Sequence, residues 1–272
     1  MKKIFILLFS GLAIISCNQD KDAGENNSDK VMKVKTEDVS YKADTVSMNG
    51  FIAYNEGSDE KRPVVLIVHE WWGLNEYTMN RAKQLAEMGY LAMAVDMYGN
   101  RTQGEDPTAA GNLAMPFYKD PEMARTRFEA ALNEIKKHPV ADVNRVAAIG
   151  YCFGGTQVLN MARLGVPLKG VVSFHGNLAG VPADKNKLTA AVLVCHGEAD
   201  EFVPAEEVAN FKNEMDSIGA NYTFKAYPGA THAFTNPAAT EKGQKHNIPI
   251  EYNAAADSAS WNDMKAFFQK IF

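Results

Sequence analysis

The sequence predicts an α/β fold: a mostly parallel, doubly wound sheet flanked by helices. Continuous apolar runs rich in Val, Ile and Ala recur along the chain, as expected of strands covered on both faces. Amphipathic helical stripes lie between them, and strand–helix alternation of this kind builds a parallel sheet. Polar, chemically capable residues follow the runs, where the loops of such sheets build a site. The 272 residues are 46% hydrophobic and 22% charged, enough for one large α/β domain or two small ones. A net charge of −5 leaves no basic excess to neutralise phosphates, which argues against a nucleic-acid partner.

In chain order, the first segment stands outside the fold. "MKKIFILLFSGLAIISC" (1–17) has two lysines, a short apolar run and small residues before Cys17. It reads as an export signal, being too short to span a bilayer. The ending Ile14-Ile15-Ser16-Cys17 resembles a bacterial lipobox, in which the cysteine is lipidated and becomes the mature N-terminus. A plain secretory signal with an incidental cysteine is the alternative. Residues 18–35 begin "NQDKDAGENNSDK", too polar to bury a core, and are expected to act as a flexible tether. The expected location is therefore the cell envelope, facing the periplasm, with membrane contact only through the lipid. Asn18 favours the outer membrane if the host follows the enterobacterial sorting pattern.

The folded domain is expected over 36–272. "VSYKADTVSMNGFIAY" (39–54) alternates with a period of two around a turn and reads as a hairpin at the sheet edge. Central strands are expected at 63–70, 90–98, 145–151, 170–176 and 190–197, with a last strand nearer the edge at 221–227. Ala124, Phe128, Ala131 and Ile135 share one helical face; so do Val208, Phe211, Met215 and Ile218, and Trp261, Met264, Phe268 and Ile271. Such stripes are core contacts.

The strand ends carry the chemistry. Glu70 follows the first central strand, Cys152 the third, Asp200 the fifth and His232 the last. Nucleophile, acid and base thus run Cys…Asp…His, the triad order of α/β-hydrolases. In "IGYCFGG" (149–155), Gly150 and Gly154 are the small positions that a strained strand-to-helix turn requires, and Gly155 permits close helix–strand packing. The helix start directs amide groups and a positive dipole end toward the sulfur. The glycines alone leave Cys152 a nucleophile, a structural thiol or half of a disulfide; the acid and base in order favour the nucleophile.

"HEWWGLN", "DMYG", "GYCFGG", "HGEADEFVP" and "GATHAF" together resemble the dienelactone hydrolase family of the α/β-hydrolase superfamily, over about residues 36 to 272. The resemblance implies a catalytic triad of Cys152, His232 and Asp200. It also implies an oxyanion hole from the backbone amides of Trp71 and Phe153, no cofactor, and a role for Glu70 in holding the resting cysteine as a thiol until substrate binds. The chain departs from the family at the arginines that hold a substrate carboxylate. Thr235 stands at one such position, "TAAGNLAM" (108–115) contains none, and Arg101 is not the same position. A carboxylate would forgo charge-assisted contacts of about 1.5–3 kcal/mol each. The expected substrate is therefore a small activated ester or lactone other than the family's namesake.

Other residues have blander readings beside the functional ones. Glu70 is either a site residue or a solvated loop carboxylate. Trp71 and Trp72 line the pocket or cover the sheet end. His69 and His196 are expected to be packed and hydrogen-bonded; His175 is a candidate pocket residue; Asp96 and Tyr98 are structural or pocket-lining. No metal is expected, because no two histidines stand at ligand spacing with a carboxylate. One strand is expected between the strands of Cys152 and Cys195. Their separation, about 9–10 Å, exceeds the ~7 Å limit for a disulfide, so two free thiols are expected. Two further function classes remain: a non-catalytic envelope binding protein on the same fold, and an acyltransferase.

Overall fold

The computed structural model describes residues 1, 33–57 and 59–272. The export signal, Cys17 and tether residues 18–32 lie outside the described residues.

Among the described residues, eight strands and seven helices succeed one another in the order β1 (Val34–Ala43), β2 (Val46–Asn55), β3 (Arg62–Val68), α1 (Glu76–Glu87), β4 (Leu91–Val95), α2 (Pro107–Lys119), α3 (Pro121–Ile135), β5 (Ala141–Tyr151), α4 (Phe153–Arg163), β6 (Gly170–Phe174), β7 (Ala191–Gly197), α5 (Ala205–Ile218), β8 (Tyr222–Tyr227), α6 (Ala239–His246) and α7 (Ala254–Ile271). They form one sheet in the order β1-β2-β4-β3-β5-β6-β7-β8. β1 and β2 pair antiparallel, as does β2 with β4; every other pair is parallel. This is the α/β-hydrolase type of fold, a mostly parallel sheet flanked by helices. The hairpin occupies one edge and begins at Val34, two residues before the expected domain start.

Burial on both faces explains the unbroken apolar runs. Along β3, Val64, Leu66 and Val68 face one layer, with Phe128 and Ile135 of α3, Val158 and Met161 of α4, and Phe211 and Met215 of α5. Val65 and Ile67 face the other, with Leu85 of α1 and Met264 and Phe268 of α7. α1, α2, α3 and α7 are N-capped by the side chains of Asn75, Asp106, Asp120 and Asn253. α4 instead follows Cys152 with no side-chain cap, and its first amide, that of Phe153, has no acceptor among the described residues.

Candidate active site

β5 ends in the turn that carries Cys152. A Cβ at Gly150 would collide with the backbone of Gly154, and one at Gly154 with the backbone of Val68 and His69. The glycines thus let α4 begin hard against the sheet, where the Gly154 amide donates to the His69 carbonyl at 3.1 Å. Cys152 itself has φ 54° and ψ −116°, a left-handed backbone strained for a non-glycine residue.

Asp200 follows β7 and His232 follows β8. His232 Nδ1 lies 2.8 Å from Asp200 Oδ2, and both side chains are buried. The Phe202 amide donates to the other Asp200 oxygen at 2.9 Å and fixes the carboxylate's orientation. Burial opposes the charged imidazolium of His232. The charge of Cys152 and hydrogen bonds to Asp200 and Cys152 more than offset that, raising its pKa to about 10.

Cys152 and His232 open into a cavity of about 240 Å³, lined also by Glu70, Trp71, Trp72, Met115, Tyr118 and Phe202. Both tryptophans are thus pocket residues. Glu70 is buried rather than solvated, with Oε2 accepting from Asn236 Nδ2 at 2.7 Å. Burial pushes its carboxyl pKa up; Lys242, the Asn236 hydrogen bond, His232 and Arg81 work in the opposite direction. The Tyr98 hydroxyl donates to the Trp71 carbonyl at 2.9 Å and so holds that peptide unit. Among the described residues, the amides of Trp71 and Phe153 donate to no protein acceptor.

His175 is more than a pocket candidate. It is 1% exposed, has φ 41°, and follows β6, the strand beside β5. The Cys152 amide donates to both the Phe174 carbonyl (3.0 Å) and His175 Nδ1 (3.1 Å). His175 Nε2 therefore carries the hydrogen and donates to Thr235 Oγ1 at 2.7 Å. Thr235 Oγ1 in turn lies 2.7 Å from the Tyr77 hydroxyl, which accepts from Arg81 Nε. Thr235 thus belongs to a buried chain reaching from the Cys152 turn to α1. Sequence reasoning missed Thr235, Tyr77 and Asn236 as partners, because no local pattern marks a side chain that meets another loop.

The remaining candidates resolve by their contacts. His69 accepts from the Met97 amide at Nε2 and donates from Nδ1 to the Glu70 carbonyl; burial lowers its pKa to about 4. His196 corrects its expectation: it packs on Phe224, but its buried Nδ1 has no hydrogen-bond partner among the described residues. Asp96 is structural, accepting from the amides of Asn49, Gly99 and Arg101. Arg101 turns away from the cavity to Asp38 and the carbonyls of Asn49 and Gly50. Cys152 and Cys195 are free thiols separated by β6, and burial pushes the Cys195 pKa up to about 12. No three His, Cys, Asp or Glu side chains among the described residues gather at metal-ligand positions.

The sequence profile of the Dienelactone hydrolase family matches residues 48–272. Protein usf of Aquifex pyrophilus is 26% identical over 238 residues, covering 85% of this chain and 97% of its own. Two solved structures each cover 88% of this chain and 99% of their own. One is a dienelactone hydrolase-like promiscuous phosphotriesterase from metagenomic libraries (33% identity, TM-score 0.82), and the other is m3DLH (32%, 0.83). The matched span takes in Cys152, Asp200 and His232, and the chain belongs to the dienelactone hydrolase family.

Proposed function

We propose that the protein hydrolyses small activated esters or lactones with Cys152 as nucleophile. The observation that carries this reading is the 2.8 Å contact between His232 and Asp200 at the wall of a cavity that also contains Cys152. His232, oriented by Asp200, takes and holds the Cys152 proton. The sulfur attacks the acyl carbonyl, forming a C–S bond, and negative charge develops on the carbonyl oxygen. The unspent amides of Trp71 and Phe153 receive that charge; a donor of this kind contributes about 2.7–4 kcal/mol to the transition state. Collapse expels the leaving oxygen, which takes the proton from His232, and leaves a thioester. His232 then removes a proton from water as it attacks the thioester, and the carboxylic acid departs as the sulfur is released. Glu70, buried in the same cavity, holds the resting Cys152 as a thiol until substrate binds.

The test is hydrolysis of p-nitrophenyl acetate by wild type and Cys152→Ala, with mass spectrometry of the trapped acyl-enzyme. Loss of rate, and an acyl adduct on Cys152, are expected; equal rates would overturn the reading.

The same proposal extends to the cell. Residues 1–17 act as a lipoprotein signal, Cys17 carries the lipid, residues 18–33 form the tether up to β1, and the enzyme faces the periplasm from the outer membrane. The lipobox-like ending supports this. Cys17→Ser is expected to move the protein from the membrane to the soluble fraction, and an unchanged distribution would refute the anchor.

A further inference from the structure

The cavity in front of Cys152 has one wall made by a single helical face. Gly111, Ala114, Met115 and Tyr118 of α2 all line it, at the i, i+3, i+4, i+7 spacing of one side of a helix. Phe202, from the loop after β7, lines it too, its ring 4.9 Å from His232. Beyond residue 33, the large hydrophobic side chains left exposed among the described residues are Met115 (47%), Tyr118 (37%), Val143 (48%) and Phe202 (40%). Three of these four stand at one cavity mouth, although they come from two separate elements. Exposed apolar side chains gathered at the entrance to a site mark a ligand surface.

We propose that this α2 face and Phe202 bind the hydrocarbon part of a neutral ester, so that the substrates are esters with an extended apolar chain or ring and not carboxylate-bearing lactones. The proposal rests on the reading of Cys152 as nucleophile. Charge supports it. Among the described residues no Lys or Arg lines the cavity, while the buried Glu70 does. The Lys242 ammonium lies 4.4 Å over the Trp72 ring, and Lys242 lines a different cavity on that side. Lys242 and Arg81 act on Glu70 from behind the wall, so a substrate carboxylate would meet Glu70 with no cation in the lining to pair with.

Size supports it as well. At about 30 Å³ per water-sized group, 240 Å³ accepts on the order of eight non-hydrogen atoms. The ester group and a short chain fill that space, and anything longer runs out across Met115, Tyr118 and Phe202. Gly111 sets the depth: a Cβ built there meets nothing within 4 Å, so a larger side chain enters open space instead of protein.

The experiment is a series of p-nitrophenyl esters from acetate to octanoate, with a carboxylate-bearing hemisuccinate ester alongside. Each buried methylene is expected to raise kcat/KM about fourfold until the cavity fills, and less along the half-exposed rim. The hexanoate-to-acetate ratio is then at least on the order of ten in wild type. Gly111→Leu and Phe202→Ser, in two separate elements, are each expected to bring that ratio down severalfold, and Val143→Ser to leave it unchanged. A flat series, a ratio untouched by both variants, or a preference for the hemisuccinate would overturn the proposal. Titration of Cys152→Ala with n-alkanamides, read by tryptophan fluorescence, separates this proposal from the one beneath it. Binding that tightens with chain length, without wild-type hydrolysis, would keep the apolar surface and remove the nucleophile; binding independent of chain length would remove the surface.

Discussion

His175→Leu isolates the contribution of the buried chain behind Cys152. Leucine fills much of the imidazole's volume but offers neither of its hydrogen bonds. The Cys152 amide keeps the Phe174 carbonyl and loses the 3.1 Å contact to Nδ1, while Thr235 Oγ1 keeps Tyr77 and loses the 2.7 Å contact to Nε2. Two neutral hydrogen bonds at about 0.5–1.5 kcal/mol each give about 1–3 kcal/mol. The edge-on contacts with His232 and Phe234, both at 5.3 Å, bring the total to roughly 2–4 kcal/mol. At about 2–4 °C per kcal/mol for a chain of this size, the melting temperature should fall by roughly 5–15 °C. His175→Asn should recover about half of that, on the order of 1–2 kcal/mol. Asparagine tolerates the φ of 41°, and its oxygen can accept the Cys152 amide. Steady-state hydrolysis should show kcat reduced by about tenfold for Leu, with less loss for Asn and KM little changed, because the amide contact positions the turn that carries the proposed nucleophile Cys152 and touches no substrate. Thermal melts and p-nitrophenyl ester kinetics make the measurement. A Leu variant melting with wild type, or an Asn variant no better than Leu, would refute the reasoning.

Three further outcomes are expected from the same geometry. Glu70→Gln should melt at a higher temperature than wild type at pH 8 and match it near pH 4. Burial raises the Glu70 pKa, so its stabilising protonated form is present below the unfolded value and lost as pH rises; equal melting at both pH values would contradict this. Stability should also decline as pH falls from about 6.5 toward 4, since the buried His69, with its pKa lowered to about 4, stays neutral while the unfolded chain takes up a proton. That one group contributes on the order of 3 kcal/mol, and His175 acts in the same direction. His232 acts oppositely, its contribution complete below about 6.5 and lost as pH rises toward 10, so urea midpoints should peak near neutrality. Iodoacetamide with peptide mapping should alkylate Cys152 in the native protein and Cys195 only in denaturant; early labelling of Cys195 would contradict its burial in β7.

By itself, the sequence determined what depends on neighbours along the chain. Unbroken runs such as "PVVLIV" require strands covered on both faces, and β3 is so covered. The glycines around Cys152 demand a turn where a Cβ would clash, and the structure has that clash at Gly150 and Gly154. Cys152, Asp200 and His232 were legible because each follows a strand, and a parallel sheet brings such ends to one edge. The helices α1, α2 and α6 were not marked out, and their apolar stripes are short or interrupted, with Pro116 inside α2. Only the tertiary structure decided which loops meet. It set Thr235 between His175 and Tyr77, turned Arg101 to Asp38 and gave Glu70 its partner in Asn236. It also gathered Met115, Tyr118 and Phe202 at one mouth. Hydrophobic periodicity is a property of consecutive residues, whereas these contacts depend on strand order and on loop backbones such as the positive φ of Cys152 and His175, which no local pattern of side chains encodes.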